Sequence, residues 1–170
     1  MGLAARSPSA GNSQGWHLVV WEGEETSRYW DVALPRERRE GFAWPGLLRA
    51  PVVALVGADP EAYLSRYSEP DKGATGWGEA MSAWPAPYWT IDAAFATMTL
   101  MLLLEEQGLG TLFFAHAREA ELRREFAVPP GIVLLGALAI GRPSDAPRRP
   151  GRSAGRSRRS ADEIVHRGRW

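Results

Sequence analysis

At 170 residues, with 45% hydrophobic and 24% charged side chains, the chain fits one globular domain with room for a sizeable core. The absence of cysteine excludes disulfides, thiolate metal sites and cysteine nucleophiles, and accords with a cytoplasmic setting. The formal net charge of zero conceals a division, because residues 1–141 carry −6 and residues 142–170 carry +6.

Met1 to Asn12 lacks the apolar segment of a secretory signal. Ser7 to Gly15 reads as a polar loop punctuated by Gly and Pro. Trp16 to Glu22 is a short apolar run, expected as a strand, and Glu24 to Val32 has helical character. Pro51 to Gly57 is β-branched and apolar on both faces, which predicts a central strand. Asp59-Pro60 should cap a short helix through Tyr67. Residues 68–87 mix Gly, Pro, Trp and charge without a period, as a functional or mobile loop does.

Tyr88 to Gln107 is the long helix, with Thr90 or a neighbour as its cap, Asp92 at the favourable end of the dipole and Gly108 as terminator. Its apolarity runs all round, which predicts that it lies at the centre of something. The run Ala93 to Leu104 is shorter than the roughly 18–20 residues a bilayer requires, so it reads as a buried helix and not a membrane span. Thr111 to Ala115 is expected as a strand, Arg118 to Phe126 as a charged helix and Ile132 to Ile140 as a strand. Residues 144–170 form an arm rich in Pro, Gly, Ser and Arg, so the chain is one domain over 1–170 with an extended C-terminal arm. The alternation of strands and helices gives an α/β or α+β class.

No phosphate loop, dinucleotide fingerprint, nucleophile elbow or zincin pattern is present. His17, His116 and His166 are isolated, which favours surface or packing roles over metal ligation, and no metal site is expected. Ser9, Asn12, Ser13 and Gln14 offer hydroxyls and amides, and Gly11 permits close backbone approach. Such a loop suits a polar, uncharged ligand chain, and equally a plain strand-entry turn. Arg156 and Arg158 flank Ser157 in a pattern that suits a phosphate monoester, or a solvated basic tail. Trp77, Trp84 and Tyr88 could wall a substrate cleft or pack a core.

In order along the chain, four segments resemble the nitroreductase family of flavoproteins. Ser7-Pro-Ser-Ala-Gly-Asn-Ser-Gln-Gly-Trp-His-Leu-Val-Val is similar to its signature loop and first strand. Tyr88 to Gln107, followed by Gly108-Leu-Gly-Thr-Leu-Phe-Phe, is similar to its dimerisation helix and the strand after it. Gly136-Ala-Leu-Ala-Ile-Gly-Arg-Pro resembles a late strand, and Arg156-Ser-Arg-Arg-Ser-Ala-Asp-Glu-Ile-Val-His a C-terminal phosphate clamp. Tyr63-Leu-Ser-Arg-Tyr-Ser-Glu-Pro-Asp-Lys-Gly and the closing His166-Arg-Gly-Arg-Trp are similar to a subgroup common in actinobacteria.

The resemblance implies an α+β fold with a mostly antiparallel sheet flanked by helices, in an interlocked homodimer with two FMN sites at its interface. It implies that Pro8, Ser9, Ala10 and Asn12 line the ribityl and isoalloxazine edge, with Gln14 supporting the loop. Backbone near Phe114, Ala115 and His116 would face the ring, and Arg156 and Arg158 would hold the phosphate. Family members often carry Gly near Ala115 and His116. They also carry a basic helix ahead of the Pro-Ser loop, where this sequence has only Met1 to Arg6.

The implied activity is an FMN-dependent oxidoreductase with no catalytic side chain of its own. It would pass a hydride from NADH or NADPH to a nitroaromatic, quinone or similar small-molecule acceptor. The alternative is a non-catalytic flavin- or ligand-binding member with a weakened site. The arginine tail lacks the aromatic interleaving and reading element of a nucleic-acid binder, so neither nucleic acid nor membrane is an expected partner.

Overall fold

The computed structural model describes residues 1–144, 151 and 153–170. Part of the predicted arm, residues 145–150 and 152, lies outside the described residues. Four strands, β1 (Trp16–Glu22), β2 (Val52–Ala58), β3 (Gly110–Phe114) and β4 (Val133–Gly141), form one antiparallel sheet in the order β1-β2-β4-β3. The helices are α1 (Thr26–Ala33), α2 (Pro60–Tyr67), α3 (Tyr88–Glu106) and α4 (Glu119–Glu125).

β2 is apolar on both faces because both faces are covered, as its sequence predicts. Its side chains alternate between two clusters. Val53 and Leu55 pack with Trp21, Ala137, Tyr29 and Trp30 of α1, and Leu122 of α4. Ala54 turns the other way, with Leu138, Leu100 of α3 and Ala4. A third cluster joins Ala58 to Tyr63 and Tyr67 of α2, Trp84, and Trp89 and Ala93 of α3. The segment 68–87 is anchored in this third cluster through Trp77 and Trp84, with 3-10 turns at Gly73–Thr75 and Met81–Ala83.

Asp59 caps α2 as its sequence predicts, accepting from the Glu61 N–H at 2.9 Å with Pro60 at the first position. The end of α3 is a Schellman arrangement, in which Gly108 N–H donates to Glu105 O at 2.9 Å and Leu109 N–H to Leu104 O at 3.0 Å. Gly108 carries the left-handed φ of +73° that this turn needs.

One expectation for α3 requires correction. Thr90 is not its cap; Pro87 stands there without a side-chain bond, and its carbonyl accepts from Thr90 N–H at 2.9 Å. Within this chain α3 is covered on one side. Ala93, Ala96 and Leu100 face the sheet, whereas Phe95, Met98 and Leu102 are 52%, 50% and 59% exposed. An all-round apolar sequence therefore leaves one apolar stripe of this chain in solvent. Among the described residues, no helix is long and apolar enough to cross a membrane.

Candidate functional site

The polar loop ahead of β1 holds three left-handed residues within four positions. Gly11, Asn12 and Gln14 all hold left-handed φ values, of 60°, 59° and 55°. Asn tolerates that region better than most residues, but two non-glycine residues there within three positions is a costly arrangement that surrounding contacts must enforce. Those contacts are visible. Gln14 N–H donates to Ser9 Oγ at 3.0 Å, Ser13 Oγ donates to Ala10 O at 2.7 Å, and Gln14 Nε2 donates to Asn12 O at 3.4 Å.

Two longer reaches fix the loop to the body. Ala10 N–H donates to Asp92 Oδ2 at 2.8 Å, and Arg66 Nε donates to Gly11 O at 2.9 Å. Just beyond the loop, Trp16 Nε1 donates to Thr97 Oγ1 at 3.1 Å, which ties the start of β1 to α3. Asp92 also accepts from Tyr63 OH at 2.9 Å. Between this loop, the N-terminal turn and α3 lies a cavity of about 200 Å³. Ser7, Pro8, Ser9, Gln14, Tyr63 and Asp92 are among its lining residues. Ser7 Oγ is buried there with no protein partner, so a polar ligand group would satisfy it.

The residues singled out in the sequence thus fall into four places. Pro8, Ser9, Ala10, Asn12 and Gln14 share the loop, and three of them line the cavity. Phe114 lies elsewhere, stacked on Trp30 with ring centroids 5.8 Å apart. Ala115 and His116 follow β3, and His116 Nε2 meets Glu119 Oε2 at 3.2 Å while its Nδ1 is buried without a partner. Arg156 and Arg158 are exposed on the arm and do not line the cavity. Trp77, Trp84 and Tyr88 meet in one aromatic group with Tyr67, and only Trp84 among the three is fully in the core.

Asp92, Tyr63 and Arg66 were not among the residues expected at the site. One signal for Asp92 is present in the sequence: it is the sole charged residue from Tyr88 to Leu104. Arg66 reads locally as an ordinary last-turn base, and only the fold brings it to Gly11.

The buried phenols give a pH dependence. Burial holds the Tyr29 hydroxyl well above its ordinary value. Burial does the same for Tyr63, and the Asp92 carboxylate raises it further. A phenol that keeps its proton more tightly when folded contributes stability that is complete below the unfolded value of ~10 and is lost as pH climbs towards the folded value. The urea midpoint should therefore fall between about pH 9 and pH 11, and Tyr29→Phe should flatten the fall. A midpoint constant across that window in the wild type would refute the assignment.

The family model for "Nitroreductase family" matches residues 1–142, most of the chain. The chain belongs to the nitroreductase family. A relative in Archaeoglobus fulgidus, provisionally named as an NADH dehydrogenase/NAD(P)H nitroreductase, is 26% identical over 147 residues, covering 84% of this chain and 69% of that one. A nitroreductase-like protein from Streptococcus mutans superposes with a TM-score of 0.70 at 16% identity, over 96% of this chain and 82% of the other. A provisionally assigned nitroreductase from Exiguobacterium sibiricum, solved in complex with FMN, gives 0.63 at 20% identity, over 96% and 81%. The nitroreductase-like α+β fold expected from the sequence is therefore the fold of this chain.

Proposed function

We propose that this nitroreductase-family chain is an FMN-dependent oxidoreductase that works as a homodimer. Electrons would pass from NADH or NADPH to a nitroaromatic, quinone or similar acceptor, the two substrates using one cleft in turn. The observation that carries this reading is the preset polar loop, with its left-handed backbone and the unpartnered Ser7 Oγ at the cavity wall. Polar donors in a fixed frame are what a cofactor with a polyhydroxyl chain requires.

Bound FMN would supply the hydride-accepting chemistry, which is why no catalytic side chain is needed. The chain's own residues bind and orient. Ser9 and Asn12 would hold the ribityl region, with Pro8 and Ala10 as apolar contacts and Gln14 bracing the loop through the Asn12 carbonyl. Backbone from Phe114 to His116 would approach the ring, and Arg156 and Arg158 would hold the phosphate. Trp77 and Tyr88, both half-buried, are candidates for the cleft wall.

The cavity at the polar loop measures about 200 Å³ in one chain. Complete small-molecule sites measure roughly 300–1,000 Å³. That difference, with the exposed stripe on α3, supports a site completed by a second copy.

The test is an absorption spectrum after incubation with FMN and removal of the excess. Retained bands near ~450 nm that bleach with NADH or NADPH in the absence of oxygen are the expected result. Flavin retained without bleaching would favour the non-catalytic binding reading, and no retained flavin would overturn both. Replacing Arg156 and Arg158 together with Ala should weaken FMN binding about 10- to 100-fold.

A further inference from the structure

We infer that Asp92 and Arg66 are positioning residues that grip the polar loop from two helices and set its shape for the cofactor, an inference that rests on the flavin reading above. The grip acts on backbone. Asp92, 7% exposed on α3, takes the Ala10 N–H, and Arg66 of α2 takes hold of the next residue's carbonyl, at Gly11. An N–H and a C=O on adjacent residues are thereby pinned in opposite senses, which fixes the left-handed turn that follows.

Each gripping group is itself held. Tyr63 OH donates to the same Asp92 Oδ2 that receives Ala10. The Arg66 guanidinium forks onto Asp71 with two bonds of 2.8 Å and reaches Glu69 at 3.1 Å. With Gly11 this commits four of its five N–H donors, so Arg66 acts through the loop and not as a free phosphate ligand. The asymmetry with Arg156 and Arg158 on the exposed arm is plain.

One face of α2 is shaped to the loop. Tyr63, Arg66 and Tyr67 stand at i, i+3 and i+4 and so share that face. A Cβ on Gly11 would come within 2.8 Å of Tyr67 Cε2, and one on Gly15 within 2.8 Å of Tyr63 Cε2. The segment from Tyr63 to Asp71, which no catalytic pattern explains, thus carries the loop's outer brace as well as part of the third core cluster.

The test uses Tyr63→Phe, Asp92→Asn and Arg66→Lys, made singly. Amide hydrogen exchange is read in the ligand-free protein, and FMN affinity by fluorescence titration. Each variant should speed exchange at residues 10–14 by about 10-fold while the β2 amides stay within about 2-fold of wild type. FMN dissociation constants should rise by about 10-fold in the same variants. Arg66→Lys should not rescue, since an ammonium cannot fork onto Asp71 and bond Gly11 in the same geometry.

Exchange that rises equally in β2 would mark a merely structural role and overturn the inference. So would a loop whose exchange is unchanged, or FMN affinity unchanged in a variant whose loop has loosened. A wild type that binds no FMN would defeat the flavin reading, and would defeat the cofactor role assigned to the grip with it. The exchange pattern would still report separately whether the two helices hold the loop.

Discussion

Trp84→Ala is expected to destabilise the chain by about 3–5 kcal/mol, the range for deleting a large buried aromatic. Trp84 is 7% exposed and sits at the hub of the third core cluster. Its ring meets Tyr67, Trp77, Tyr88, Tyr63 and Trp89 at centroid separations of 4.6, 4.9, 5.7, 5.7 and 6.2 Å. Its Nε1 donates to Trp77 O at 2.8 Å. Truncation would empty a large volume, remove these ring contacts and leave the part-buried Trp77 carbonyl short of a donor.

Total stabilities of about 5–15 kcal/mol leave little margin for such a loss. Urea unfolding followed by far-ultraviolet circular dichroism would measure it. Trp44→Ala is the control, because Trp44 is 53% exposed, and it should change stability by less than about 1 kcal/mol. A Trp84→Ala loss as small as that of Trp44→Ala would show that segment 68–87 is not part of the core.

If the proposed homodimer forms through α3, replacing Met98 and Leu102 together with Asp should convert the protein to monomers. Ile91, Phe95, Met98 and Leu102 follow one another at intervals of four, three and four, the spacing of a helix–helix seam. Full burial of such a side chain is worth roughly 1.5–3 kcal/mol, so half-exposed ones on two copies could together contribute several kcal/mol to association. Charges there would reverse that gain, weakening association by at least ~100-fold. Sedimentation should then give a species near the chain mass of 18.7 kDa where the wild type gives twice that. A wild type that sediments at the chain mass would dispose of the dimer, and a variant that stays dimeric would place the interface elsewhere.

The sequence made local structure legible wherever a local rule governs it. The β-branching and two-faced apolarity of 51–57 marked a central strand, Asp59-Pro60 marked a helix start, and Gly108 marked a helix end. It misled where the governing contact is distant. Asp92 looks like a dipole-complementing acid near a helix start, yet its partners are residues 10 and 63. Thr90 looked like a cap by type, but the helix begins earlier at a proline-led turn. The polar loop was found from composition and order. Its brace was not, because a backbone N–H and a backbone carbonyl carry no side-chain signature.

The bonds from Ala10 to Asp92 and from Trp16 to Thr97 span 82 and 81 positions of the chain. Contacts of such separation close only after a large loss of chain entropy, and they come late when a domain assembles. An emerging polypeptide therefore makes the loop's residues first and acquires the loop's shape last, once α3 has docked. Any fragment ending before residue 92 lacks the Asp92 anchor. On the proposed flavin reading, cofactor capture would be a consequence of folding and not a nucleus for it, so added FMN should raise the equilibrium yield of native protein without speeding the first refolding phase.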